Sequence, residues 1–161
     1  SVVTKIFGRQ AKVKEADMFI EINEKDTETT QQMLLNLPPM DSIYIRLYND
    51  MSVIINDEIL LHLVENSNST CFFHFQTNIT AKGMANAYEI ICKSKTRKET
   101  QFRASRDEVN KMLSQISSTI QLHRLSYLQA LYRIYEHIES STTISFHESF
   151  NSHYYIRFQT R

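Results

Sequence analysis

Glycine is the residue that this chain most nearly lacks. Gly8 and Gly83 are the only two glycines in 161 residues, whereas an average composition would supply roughly eleven. Glycine provides the backbone freedom that phosphate-binding loops and sharp nucleophile turns require. Accordingly the sequence contains no Walker A, G-x-G-x-x-G or G-x-S-x-G pattern. An AT-rich genome would produce the same shortage, but phosphate-loop, dinucleotide-binding and serine-elbow chemistry are excluded either way.

Length and apolar content predict one domain, residues 1–161, with a substantial core. A chain of this length fits a single domain, and 42% of its residues are hydrophobic, with nine Phe and eight Tyr. No stretch approaches the roughly 20 apolar residues that a bilayer-spanning helix needs, so we expect no membrane span. The sequence begins SVVTKIFGRQ without an initiator Met, and we expect it to be one domain of a longer protein.

The balanced net charge conceals an uneven distribution. Residues 1–65 hold eleven acidic and six basic side chains, and residues 66–161 hold seven and twelve. The two halves either attract each other within the fold or present two faces to different partners.

The two cysteines, Cys71 and Cys92, lie in the apolar runs CFFHF and YEIIC, as buried free thiols commonly do. We therefore expect an intracellular protein, cytoplasmic or nuclear. The alternative is a secreted domain with one disulfide, suggested by glycosylation sequons at Asn68 and Asn78. Sequons are expected by chance in a chain rich in Asn, Ser and Thr, so they carry little weight.

Hydrophobic periodicity predicts an α+β fold with a largely antiparallel sheet. Two short helices are expected near 27–37, ended by Pro38 and Pro39, and near 57–65. Residues 79–92 fit either a helix or a strand. Strands are predicted over 2–7, 12–22, 42–48, 52–55 and 70–77.

The C-terminal part of the chain predicts one long helix, about 105–140, followed by a β-hairpin. Ser105 is a suitable N-cap, and an apolar stripe at helical spacing runs from Val109 to Ile138. After Ile120 the apolar face widens to about half of the helix. The added positions are Leu122, Leu125, Leu128, Tyr132 and Tyr135.

The widened face needs a second packing surface. A hairpin of residues 142–147 and 154–159 is one candidate for this cover. The other is a partner protein or a second copy of the chain, in which case those five residues bind it.

Candidate catalytic and metal-ligating groups are sparse. Cys71 and His74 alternate on a predicted strand and would point to opposite sides, so with Cys92 they make a poor zinc site. His147 and His153 would approach each other across the hairpin beside Glu148, but such a cluster is also typical of a polar hairpin tip. We therefore expect no metal, no cofactor and no enzymatic activity.

Residues 93–106 form a strongly basic segment, which we expect to be a loop or hairpin tip. It contains a single acid, Glu99, and six bases: Lys93, Lys95, Arg97, Lys98, Arg103 and Arg106. Such a cluster suits an acidic partner protein, a nucleic-acid backbone or plain solvation, and Phe102 would add a stacking surface for a base. The sequence as a whole favours a non-catalytic protein-interaction module in a larger intracellular assembly. The alternative is a nucleic-acid-binding domain that uses this basic segment.

Overall fold

A computed structural model of the chain describes residues 15–20, 27–47, 55–126, 132–149 and 153–160. Within these ranges strands and helices alternate over the first part of the chain, and the last part contains strands alone. The elements in chain order are β1 (Glu15–Ile20), α1 (Thr27–Leu35), β2 (Met40–Leu47), α2 (Asp57–Asn66), β3 (Ser67–Gln76), α3 (Ala81–Cys92), β4 (Glu99–Ser105), α4 (Arg106–Gln115), β5 (Ile120–Ser126), β6 (Tyr132–His137), β7 (Thr142–Ser149) and β8 (His153–Thr160).

These strands form one eight-stranded sheet in the order β1-β2-β3-β4-β8-β7-β6-β5. The first four strands are parallel. From β4 onward the five strands β4, β8, β7, β6 and β5 are antiparallel. The sheet therefore joins a strand–helix repeat to an antiparallel meander, and β1 and β5 lie at its two ends.

The helices form a second layer on one face of the sheet. Parallel strands in simple order are joined by right-handed crossovers, which place all the connecting helices on the same side. Accordingly α1 contacts α2, α2 contacts α3 and α3 contacts α4, and the layer packs chiefly on β3, β4 and β8.

Alternation along the strands separates a core face from an open face. On β4 the side chains of Thr100, Phe102 and Ala104 are buried. Ile156 lies opposite Phe102 in the register, and Phe158 lies opposite Thr100. The rings of Phe102 and Phe158 meet edge to face, with their centroids 5.6 Å apart. A period-2 pattern of this kind is what a sheet covered on one face requires.

The predicted α+β class and both predicted short helices are confirmed. The prediction of one long C-terminal helix is wrong. Helix α4 begins at the predicted N-cap, Ser105, whose hydroxyl accepts a hydrogen bond from the Glu108 amide at 3.3 Å. It ends at Gln115, and residues 120–126 and 132–137 are strands. Ser117 and Thr119 donate side-chain hydrogen bonds to the Ser114 and Ile116 carbonyls, which competes with continued helix formation.

Several other predictions are resolved or corrected. Residues 81–92 are helical, and the hairpin is present as β7 and β8. The basic segment is not one loop, because β4 runs through it. The parallel half of the sheet was not predicted, although alternating strands and helices are typical of parallel sheets. The strands predicted over 2–7 and at 52–54 lie outside the described residues.

Candidate interaction surface

The β5–β6 hairpin forms the end of the sheet. Among the described strands none pairs with the outer edge of β5, which ends the strand order. An unpaired strand edge presents a row of backbone donors and acceptors on which another strand can form. The ladder between β5 and β6 shifts register between Leu122 and Arg124, so β5 consists of two short regular stretches with an interruption between them.

Apolar side chains accompany the regular part of this edge. Leu122 lies directly opposite Tyr135, and 53% of its surface is exposed. The Tyr135 ring stacks on Phe146 with the centroids 5.7 Å apart, which connects this position to the core. Ile120 is partly buried against the same core. It is the strand edge, which no described strand pairs with, that marks this surface as a candidate interface, and the exposed Leu122 provides an apolar contact beside it.

The structure places four of the five predicted partner-binding residues on strands rather than on one helix. Leu122 and Tyr135 are neighbours across the hairpin. Leu125 lies opposite Arg133 in the register and Tyr132 lies opposite Ser126, and Leu128 lies outside the described residues. Ile138, which the helical stripe counted as a core position, follows the end of β6 and 59% of it is exposed.

The six basic residues do not share one surface. Lys93 pairs with Glu89 at 2.5 Å, and Lys98 donates to the Val64 carbonyl at 2.7 Å, at the C-terminal end of α2. Lys95 and Arg97 are exposed in the turn before β4.

At the other end of β4 the remaining two bases lie against aromatic rings. The Arg103 guanidinium lies over Tyr155 at 4.9 Å, and that of Arg106 over Tyr154 at 5.7 Å. Four strand residues, 99–102, separate Lys98 from Arg103, which corresponds to roughly 16 Å along the strand.

The positions of the candidate metal-ligating and acid–base residues give those predicted clusters no further support. Cys92 carries a free thiol and is half-buried on α3. Position 147 lies opposite Tyr155, whereas His153 lies opposite Ser149. Within the described ranges no group of three or more His, Cys, Asp or Glu side chains is placed to hold a metal ion.

Two carboxylates accept hydrogen bonds at the N-terminus of helix α3, which is the positive end of the helix dipole. The Asp57 carboxylate accepts hydrogen bonds from the Thr80 amide at 2.8 Å and the Thr80 hydroxyl at 2.6 Å. The Glu108 carboxylate accepts one from the Ala81 amide at 2.7 Å. The Lys111 ammonium, together with the Ala81 amide, lowers the pKa of Glu108. A helix N-terminus attracts anions, but here side chains from α2 and α4 already occupy that position.

Comparison with protein-family models, with curated proteins and with solved structures finds no match to this chain. None of the described helices combines the length and apolar character needed to cross a membrane. Only the geometry of the described residues therefore bears on the function of this chain.

Proposed function

We propose that the chain is a non-catalytic protein-interaction module, a subunit or domain of a larger assembly, and that it binds an extended segment of a partner protein along β5. The observation that carries the proposal is the edge of β5, with which no described strand pairs, together with the exposed Leu122 beside it. Addition of a strand satisfies the backbone groups of an edge, while side chains on alternate positions provide selectivity. We also propose an intracellular location, supported by the free thiol of Cys92.

The shape of the edge favours a different protein over a second copy of this chain. Symmetric pairing of two β5 strands would place the irregularity between Leu122 and Arg124 near the centre of both strands. A bulge there bends the strand and interrupts the ladder. A partner segment can instead pair with the regular stretch that begins at Ile120 and cover Leu122 with one apolar side chain.

The first test compares partner capture by the wild-type chain and by two charged variants. Leu122→Glu places a carboxylate where the partner's apolar side chain would pack, and we expect it to abolish capture from extracts of the native source. Ile138→Glu is the matched control, because its side chain is equally exposed but follows the end of β6. Both variants should keep their stability within about 0.5 kcal/mol of the wild type, since each changes an exposed position.

Two results would contradict the proposal. If Leu122→Glu captures the same proteins in the same amounts as the wild type, the β5 edge is not the interface. If the purified wild-type chain is a stable dimer by light scattering, and Leu122→Glu makes it a monomer, the edge binds a second copy rather than another protein.

A further inference from the structure

A concave surface outside the β5 edge lies between α3 and the turn that precedes β5. It is a cleft of about 450 Å³. One wall is a face of α3 that includes Ala85, Tyr88 and Cys92, and the opposite wall includes Ile116 and His137. Small-molecule sites typically have volumes of roughly 300–1,000 Å³ and apolar walls with a few polar groups. Both the size and the lining of this cleft fit that class.

Tyr88 is the aromatic base of the cleft. Its ring centroid lies 5.9 Å from that of His137 and 5.4 Å from that of Phe158, and only 2% of the residue is exposed. Burial, together with the adjacent Cys92 thiol, raises the pKa of Tyr88, so the phenol stays neutral. Within the described part of the chain its hydroxyl has no hydrogen-bond partner. A buried hydroxyl without a partner is unusual in a folded protein.

The charges around the cleft favour a cation. The Nδ1 atom of His137 accepts a hydrogen bond from the Glu139 amide at 3.1 Å, which holds Glu139 at the rim beside the ring. The rim holds the Glu89 and Glu139 carboxylates against the single ammonium of Lys93, which is paired with Glu89. The net charge of these groups is negative.

We propose that this cleft binds a small organic amine whose aromatic body packs against His137 and Ile116, above the buried Tyr88, while its ammonium faces Glu89 and Glu139. The apolar walls at Ala85 and Ile116 exclude water from the ring of the ligand. This site does not depend on the β5 interface, so either proposal can fail alone.

The test uses two probes with the same ring and opposite charge, tryptamine and indole-3-propionate. We expect calorimetry to show tryptamine binding at least about five-fold more tightly. Bound tryptamine should also slow alkylation of Cys92 by iodoacetamide, with peptide mapping to separate Cys92 from Cys71. Glu139→Gln should weaken tryptamine binding by about two- to five-fold, the range of an exposed ion pair. Glu28→Gln, on the exposed surface of α1, is the matched control and should change nothing.

Three results would overturn the proposal. The first is that neither probe binds at millimolar concentration. The second is equal affinity for both probes, or a folded Glu139→Gln variant that binds tryptamine as the wild type does. The third is tryptamine binding that leaves the alkylation rate of Cys92 unchanged, which would place the ligand elsewhere. Leu122→Glu should bind tryptamine normally, so loss of partner capture in that variant concerns only the β5 interface.

Discussion

Replacing Gly83 with alanine should destabilise the fold, although the same change in most helices stabilises it. Gly83 lies in the first turn of α3, where its amide donates to the Thr80 hydroxyl at 3.2 Å. An alanine Cβ at this position would overlap the Asp57 carboxylate, with Oδ2 only 2.8 Å away and Oδ1 and Cγ closer still. The carboxylate therefore has to move away from α3.

The magnitude follows from the hydrogen bonds that this movement breaks. Asp57 would lose its two bonds to Thr80. At about 1.5 kcal/mol for each exposed bond to a charged group, the loss is about 3 kcal/mol. Replacing glycine by alanine in a helix returns about 1 kcal/mol. We expect Gly83→Ala to lower the free energy of unfolding by about 2 kcal/mol, which corresponds to a fall in Tm of about 4–8 °C for a domain of this size.

A double-mutant cycle separates this mechanism from a general effect on the helix. Urea unfolding followed by circular dichroism would be measured for Gly83→Ala, Asp57→Ala and the double variant. In the Asp57→Ala background the obstacle is absent, so adding Gly83→Ala should raise the stability by up to about 1 kcal/mol. Equal destabilisation in both backgrounds, or a stabilised single variant, would refute the reasoning.

Three further predictions concern the helix termini and the basic residues. Ser105→Ala should cost about 1 kcal/mol of unfolding free energy through loss of the α4 N-cap, whereas Ser105→Asn should retain it. The lowered pKa of Glu108 means that its contribution is complete above the unfolded-state pKa of about 4.3 and is lost as pH falls below it; acid titration of Glu108→Gln should lack that part of the decline. Any binding to single-stranded nucleic acid through Lys95 and Arg97 should show a salt slope shallower than about −2, and a slope near −4 would mean that all six bases act together.

Alternating apolar and polar residues, together with helix-capping residues, were sufficient to predict much of the fold from the sequence. Ser105 marks the start of α4 correctly, and the β7–β8 hairpin was predicted from its alternation. Strand β4 carries the same signal, with Thr100, Phe102 and Ala104 on one face. It was missed because the bases in and around it were taken as one loop or hairpin tip.

The prediction of a long helix was wrong because the residues that follow the end of α4 include no glycine or proline. Val109 and Ile116 match a helical stripe, and later apolar residues happen to continue that spacing. The interruption is Ser117-Ser118-Thr119, whose hydroxyls compete for backbone carbonyls. In a chain with two glycines, helices have to end on such residues, so the absence of glycine and proline does not indicate a continuous helix.

The candidate surface was found only in part, for a related reason. Leu122 and Tyr135 were assigned to the same widened face of a long helix, but cross-strand pairing is what brings them together. Pairing register depends on contacts between residues distant in sequence and cannot be obtained from local periodicity. The cleft at Tyr88 and His137 likewise joins two segments that no local pattern relates.

Backbone hydrogen exchange of β5, measured in the free chain and in the complex with its captured partner, tests the proposed function most directly. Strand addition places new hydrogen bonds on the outer amides of residues 120–126, so we expect their exchange to slow at least about ten-fold, a protection of roughly 1.4 kcal/mol. The amides of β4, which lies between β3 and β8, should be unchanged. A tight complex in which β5 exchanges as fast as in the free chain would contradict the account.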